Sequence, residues 1–310
     1  MLFTNKKKTG EEDFISSKKP SLKTLAGKKI QQLEKHAVKS SVMRKLGSMI
    51  YNSNLYNFIS KKIEEFRNYK LIEEIKNQEV PEHIAVIMDG NRRFAKSFGL
   101  DAEAGHLLGR DKIKEVLEWC LELNIKNLTI YAFSTENFKR EESEVKSLMD
   151  LCKKELDKAK KDSRIHKNKV KIRVIGNLEI LPEEIKESAE YIMKQTEDYD
   201  NYSLNVALAY GGRQEIIQAI KKIAEDVKKD NIKIEEIQEK IVSKYLYTNG
   251  LPDPDLILRT SGEERISNFL LWQLAYSELY FSDVYWPAFQ KRDFLDAIKT
   301  CQKRQRRFGE

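Results

Sequence analysis

His83-Ile-Ala-Val-Ile-Met-Asp89-Gly90-Asn91-Arg92-Arg93-Phe94-Ala-Lys96 is the stretch whose reading decides the fold. Ile84 to Met88 is a short apolar run preceded by Pro81, the pattern of a strand buried on both faces of a parallel sheet. The run ends in an acid, Gly90-Asn91 tolerates a tight turn, and two arginines follow where a helix can begin. A carboxylate, free backbone N–H groups and two guanidinium groups therefore meet at the carboxyl end of a strand. Open α/β sheets bind ligands there, and a helix N-terminus at that point suits a phosphate. The other reading is an ordinary strand-turn-helix connection with solvated charges, and the rest of the chain decides between them.

Downstream, strands and helices alternate. Residues 105–123 read as a helix with Leu108, Ile113, Val116, Leu117 and Cys120 on its apolar face. Strands are expected at 127–133, 170–176, 202–210 and 255–260, and helices at 141–161, 182–196 and 211–229. Residues 231–249 suggest one or two short helices, 269–281 are ambiguous between helix and strand, and 294–308 read as a basic terminal helix. This alternation predicts an α/β domain with a mostly parallel central sheet flanked by helices.

Upstream the character changes. Residues 1–80 hold 15 Lys and 2 Arg against 9 Asp and Glu, a balance of +8. The remainder has 39 basic against 40 acidic residues, so the basicity belongs to an N-terminal extension and not to the domain at 81–310. That distribution argues against a nucleic-acid binder, which carries its positive face on the folded domain. Residues 1–40 are rich in Lys, Ser and Thr with few large apolar side chains, and read as flexible. From about Val42 to Ile75 a helical pattern follows, with Leu55, Phe58, Ile59, Ile63 and Phe66 as its stripe and Lys61, Glu64 and Glu65 opposite. That helix either lies on an anionic membrane surface or packs on its own domain or on a dimer partner. No apolar run is long enough to span a bilayer, and the basic N-terminus lacks the apolar core of a signal peptide. Cys120, Cys152 and Cys301 are far apart and odd in number, which reads as buried thiols in a reducing cytoplasm.

Four strand ends carry polar clusters: Asp89 to Arg93, Ser134-Thr135-Glu136-Asn137-Phe138-Lys-Arg140, Tyr210 to Arg213, and Arg259 to Ser267. A parallel sheet brings these ends to one edge. Arginine's planar fork matches phosphate oxygens, and arginines on separate loops suggest two phosphorylated ligands or one long one. Asp89, an acid among anion binders, makes sense as a Mg²⁺ ligand bridging to phosphate. Singly each piece has an ordinary reading: Arg259 and Arg265 as surface ion-pair partners, His106 as structural, Ser134 and Asn137 as helix caps. There is no GxxxxGK[ST] loop and no GxGxxG after the first strand, which excludes the usual nucleotide sites, and no DDxxD pair.

Together, HIAVIMDGNRRFAK (83–96), GH (105–106), YAFSTENFKR (131–140), LNVALAYGGR (204–213), DLILRTSGEERISNFLLWQLAYSELYF (255–281) and RRFG (306–309) resemble the cis-prenyltransferases, the undecaprenyl or polyprenyl diphosphate synthase family. The resemblance covers roughly 81–309. Ala102, Phe94, Phe138 and Arg92 depart from the bacterial pattern and resemble archaeal and eukaryotic members. The resemblance implies a Mg²⁺-dependent enzyme that condenses isopentenyl diphosphate with an allylic diphosphate of farnesyl or geranylgeranyl type. The product is a long cis-polyprenyl diphosphate, a lipid-carrier precursor, grown in an apolar tunnel. It implies a homodimer in the cytoplasm, with peripheral membrane contact as a further expectation. The alternative within the family is a non-catalytic partner subunit, but such relatives generally lack the aspartate and arginine set kept here.

Carried over residue by residue, Asp89 would hold Mg²⁺, with Glu278 as a second metal-associated carboxylate. Gly90, Asn91, Arg92, Arg93, Phe94 and His106 would hold the allylic diphosphate. Ser134, Thr135, Glu136, Phe138 and Arg140 would line the reacting centre, with Asn137 as proton acceptor. Arg259, Arg265, Ile266 and Ser267 would hold isopentenyl diphosphate. Leu108, Val116, Val145, Leu148, Met149 and Cys152 are candidates for the tunnel wall, plain core being the other reading for most of them.

Overall fold

The apolar run at Ile84 becomes strand β1 (His83–Ile87), with every residue buried. In the computed structural model, which describes residues 54–304, β1 lies inside a six-stranded parallel sheet. The others are β2 (Asn127–Ser134), β3 (Val170–Ile175), β4 (Tyr202–Tyr210), β5 (Leu256–Arg259) and β6 (Glu278–Phe281), in the order β3-β4-β2-β1-β5-β6. Position in the sheet explains the sequence pattern. Interior β1 and β5 are apolar runs apart from their polar ends, and both are buried throughout. Edge strand β3 alternates, Lys171 and Arg173 standing more exposed than their neighbours, which blunts the edge against further pairing.

Nine helices are described: α1 (Asn54–Lys76), α2 (Asn91–Ser97), α3 (Ala102–Glu122), α4 (Glu142–Ala159), α5 (Ser163–Lys167), α6 (Glu183–Gln195), α7 (Gly212–Lys228), α8 (Glu239–Tyr245) and α9 (Lys291–Lys303). The chain divides into two compact units between Phe66 and Arg67, and the second holds the sheet. Leu71, Ile72 and Ile75 are buried in the core cluster that includes Ile84, Val86 and Leu258. The sheet-bearing unit therefore starts before residue 81, where the sequence boundary was drawn. In the same cluster Trp119, Phe289 and Phe294 pack at 5.6–6.4 Å between ring centroids. Phe294 is fully buried, and truncating it to Ala would cost about 3–5 kcal/mol. A second cluster joins Phe133, Met149, Leu156, Ile185 and Ile192 beneath α4 and α6.

The ambiguous stretch 269–281 divides into a short 3-10 turn, Gln273–Tyr276, and edge strand β6. Residues 231–249 supply a second 3-10 turn, Ile234–Glu236, and α8. Leu108, expected on the buried face of α3, is exposed. Glycines 105 and 109 take the close-packed positions instead, because α2 lies so near that a Cβ at Gly109 would sit 2.3 Å from Asn91 Oδ1. Phe58, Ile63 and Phe66 are 46–60% exposed. The expected helical start near Val42, and residues 306–309, lie outside the described residues.

Candidate functional site

Loops from the carboxyl ends of β1, β2 and β5 converge on Asp89. Gly90 turns the chain with φ of 101°, where a Cβ would meet the Tyr285 ring at 2.7 Å, so glycine is required both by conformation and by space. The loop is pinned from below. Thr260 Oγ1 donates to Asp89 O at 2.7 Å and accepts from Asp89 N–H at 3.0 Å. Trp286 donates from its backbone N to Asp89 O at 3.0 Å and from its indole to Gly109 O at 2.8 Å. One tryptophan thus ties the loop to α3.

The Asp89 carboxylate is shared. Oδ2 accepts from Arg259 at 2.7 Å, and Oδ1 accepts from Arg93 at 3.1 Å and from Gly90 N–H at 2.6 Å. Burial opposes ionisation of Asp89, but the two guanidinium groups outweigh it and hold its pKa below the ordinary value. Arg259 is only 4% exposed and also donates to Ser267 Oγ at 2.7 Å and to Arg265 O. Arg93 reaches Ser261 Oγ and Glu263, each at 2.7 Å. The loop after β5 is bent to present these groups, with Ser261, Ser267, Asn268 and Leu270 all at positive φ. Such conformations are uncommon for side chains of this kind and concentrate at ligand sites.

A second cation cluster faces it. Glu144, from the first turn of α4, accepts from Arg140 at 2.9 Å, contacts His106 at 3.3 Å and lies 3.7 Å from Arg92. Burial would raise Glu144, but Arg140, His106 and Arg92 hold it down. Burial in turn lowers His106, against the pull of Glu144.

Three cavities meet here, and all three touch Met88, Asn91 and His106. One polar cavity, about 610 Å³, is lined by Asp89, Gly90, Arg92, Arg93, Lys96 and Arg140. Another, about 580 Å³, is lined by Asp89, Tyr131, Ser134, Asn137, Arg259 and Arg265; Glu136, Ser267 and Asn268 also reach it. The third, about 290 Å³, is apolar and runs between the sheet and helices α3 and α4, past Ile113, Leu117, Ile130, Leu148, Leu156 and Val206. The pairing of β2 with β4 is irregular between Tyr131 and Ser134, and Ala132 there lines both the apolar and the second polar cavity.

Most expected site residues line these cavities, and five do not. Phe94 packs on Phe98 at 4.9 Å. Phe138 packs on Phe133 at 4.9 Å, at the edge of the second core cluster. Thr135 directs its hydroxyl towards Gly211, and Ile266 accepts the Phe269 N–H in a turn. Glu278 begins β6 level with Leu256, the start of β5, whereas Asp89 lies past the other end of β1. Five residues of strand, about 16 Å, separate those levels, so the two carboxylates do not share an ion within one chain. Glu278 instead accepts from Arg304 at 3.0 Å. Of the expected tunnel wall, Leu148 and Cys152 line the apolar cavity, whereas Val116 and Met149 belong to core clusters. Sequence reasoning missed Glu144, although its spacing of four from Arg140 was a visible signal. Trp286, 177 residues from Gly109, left none.

A family model described as "Putative undecaprenyl diphosphate synthase" matches residues 87–309. A protein of Thermoplasma volcanium named tritrans,polycis-undecaprenyl-diphosphate synthase (geranylgeranyl-diphosphate specific) is 54% identical, over 77% of this chain and 93% of its own. One of the same name from Thermococcus kodakarensis is 48% identical, over 84% of this chain and 100% of its own. Among solved structures, lavandulyl diphosphate synthase from Lavandula x intermedia, in complex with dimethylallyl diphosphate, superposes with a TM-score of 0.72 at 35% identity, covering 74% of this chain and 99% of that one. A probable undecaprenyl diphosphate synthase from Campylobacter jejuni gives 0.61 at 36% identity, over 75% and 99%.

Proposed function

The chain belongs to the undecaprenyl diphosphate synthase family and is a cis-prenyltransferase, and from that premise we propose that it extends geranylgeranyl diphosphate with isopentenyl diphosphate units into a long polyprenyl diphosphate, a lipid-carrier precursor. The observation that carries this reading is the meeting of two cation-lined cavities with one apolar cavity at Met88, Asn91 and His106. Two diphosphates with one growing hydrocarbon need that combination. The named specificity of the archaeal relatives supports the primer.

Mg²⁺ fits the residues present. No group of three His, Cys, Asp or Glu that could hold a metal exists among the described residues, which excludes a protein cage there. Asp89 is a hard oxygen donor that lines both polar cavities, and Mg²⁺ commonly takes few protein oxygens plus substrate phosphates. When bound it would neutralise charge on the departing diphosphate.

The chain's own groups do the rest. Arg92, Arg93, Lys96 and the Gly90–Asn91 backbone would hold the allylic diphosphate, and Arg93 would stabilise the charge that grows as the C–O bond breaks. Arg259, Arg265, Ser267 and Asn268 would hold the isopentenyl diphosphate, so that the two carbons start at near-attack distance. Arg259 has a buried Nε without a partner, a donor available to that second anion. Ser134 N–H donates to Asn137 Oδ1 at 3.0 Å, which orients the amide, and Asn137 would then lie beside the proton that isopentenyl C2 loses.

Homodimerisation is supported by exposed Ile217 and Ile220 on α7 and by exposed Ile234 and Tyr276. Peripheral membrane contact is supported by exposed Phe58, Ile63 and Phe66 on α1. No described helix is long and apolar enough to cross a membrane. Purified protein incubated with geranylgeranyl diphosphate, radiolabelled isopentenyl diphosphate and Mg²⁺ should yield elongated products separable by chromatography. Absence of any elongation would overturn the proposal in favour of a supporting, non-catalytic subunit.

A further inference from the structure

The apolar cavity has one wall that is not apolar. Opposite the sheet, its lining passes from Ile113, Leu117 and Leu156 to Arg110, Lys114, Glu155, Asp162 and Arg164. Arg110, Lys114, Glu155 and Arg164 have partners across the seam between α3 and the α4–α5 segment, while Glu155 also bonds Lys158 of its own helix at 2.7 Å. Glu155 on α4 lies 3.5 Å from Arg110 and 3.9 Å from Lys114, both on α3. Arg164, on α5, bonds Glu118 of α3 at 2.9 Å and Asp162 at 2.7 Å. The sheet side, by contrast, is closed by Ile130, Ile172, Leu204 and Leu208, each backed by packed core.

At about 290 Å³ the cavity is at the lower end for small-molecule pockets, far too small for a long polyprenyl chain. Something must yield as the chain grows. Displacing packed apolar side chains is costly, whereas ion pairs open to solvent are weak. Side-chain exposure is 22% at Arg110, 25% at Glu155 and 39% at Lys114.

We propose that the ion-pair seam formed by Arg110, Lys114 and Glu155, extended by Glu118 and Arg164, is the wall that parts for the growing chain, and that its strength sets product length. The inference rests on the reading that the apolar cavity takes the prenyl chain. Elongation stops where further parting of the seam, and wetting of the emerging hydrocarbon, outweigh the gain from the next condensation. A weaker seam moves that point to longer chains.

The test is Glu155→Gln, which keeps shape and removes the charge shared by both α3 cations. Products made with geranylgeranyl diphosphate, radiolabelled isopentenyl diphosphate and Mg²⁺ should shift to longer chains by whole isoprene units. High salt should produce the same shift in the unaltered protein and a smaller one in the variant. A second readout is independent of turnover. Cys152 lines the same cavity and is buried enough that its thiol is pushed up to about 12. An apolar maleimide followed by peptide mapping should label Cys152 several-fold faster in Glu155→Gln, with labelling of buried Cys120 unchanged. Elongation with an unaltered or shortened product distribution and equal Cys152 labelling would overturn the seam. Failure of both proteins to elongate would instead overturn the proposed function.

Discussion

Two acid-centred clusters face each other across the site, and they are built differently. Asp89 lies in a loop pinned by Thr260 and Trp286 and is paired with Arg259, which is 4% exposed. Glu144 gathers Arg92, His106 and Arg140 at longer distances, and Arg92 is 59% exposed. The first arrangement fixes geometry before any ligand arrives. The second holds its cations in looser pairs and can release them to an anion. Preorganised charge stabilises a transition state far more than charge that must reorganise, so the two clusters should respond very differently to loss of their acid.

The largest effect is expected at Asp89. Asp89→Asn, which keeps the shape and one of the two acceptor oxygens but removes the charge, should lower kcat by about 10²–10³-fold with an unchanged circular dichroism spectrum. Near-normal turnover would remove its metal role. Asp89→Ala is a poorer probe, since it strands a buried guanidinium and should destabilise the fold as well.

Next come the arginines. Arg265→Ala should raise KM for isopentenyl diphosphate by about ten- to a hundredfold, the loss of one charged hydrogen bond, and barely affect the primer. Arg259→Ala should raise KM for both substrates, because Arg259 also supports Asp89. A purely isopentenyl effect at Arg259 would show that the first cluster is less unified than its contacts imply.

Titration sharpens the comparison further. Asp89 has a depressed pKa in the folded state, so its pairing contributes stability that is fully present above its unfolded value, about 3.9, and is lost as pH falls through the folded value. Melting of the unaltered protein and Asp89→Asn should differ by about 1.5–3 kcal/mol at pH 6 and converge in strong acid. A constant difference would mean that Asp89 is not charged in the fold.

The smallest effect is expected at Glu144. Glu144→Gln should change stability by only about 0–1 kcal/mol and weaken the salt dependence of primer binding. A loss of turnover matching that of Asp89→Asn would make the clusters equivalent.

Sequence legibility followed the same division. Strand β4 and the carboxyl-end clusters could be read because a buried strand and its turn are local patterns. The placement of Asp89, Arg93, Arg259 and Arg265 around one site followed from parallel strands sharing an edge. The position of Glu278 relative to Asp89 could not be read, because its motif is local while its level on the sheet is set by pairing with β5. Phe94 and Phe138 misled because an aromatic beside a site looks the same in sequence whether it faces ligand or core. Trp286 could not be read at all, since its partners Asp89 and Gly109 come from distant parts of the chain. The ion-pair seam was hidden for the same reason: its charges look like ordinary solvated faces until α3 and α4 are set side by side.

The interior position of β1 has a further bearing on how the chain is made. Its partner β5 lies about 172 residues downstream, with the His83 N–H held by Asp255. At a ribosomal rate of about 5–20 residues per second, one edge of the strand that carries Asp89 stays unpaired for roughly 10–35 seconds of synthesis. During that interval an apolar strand is exposed, open to wrong pairing with another nascent chain. Slow synthesis or truncation before Leu256 should therefore favour aggregation over a partly active fragment, and chaperone demand should fall sharply once β5 has emerged.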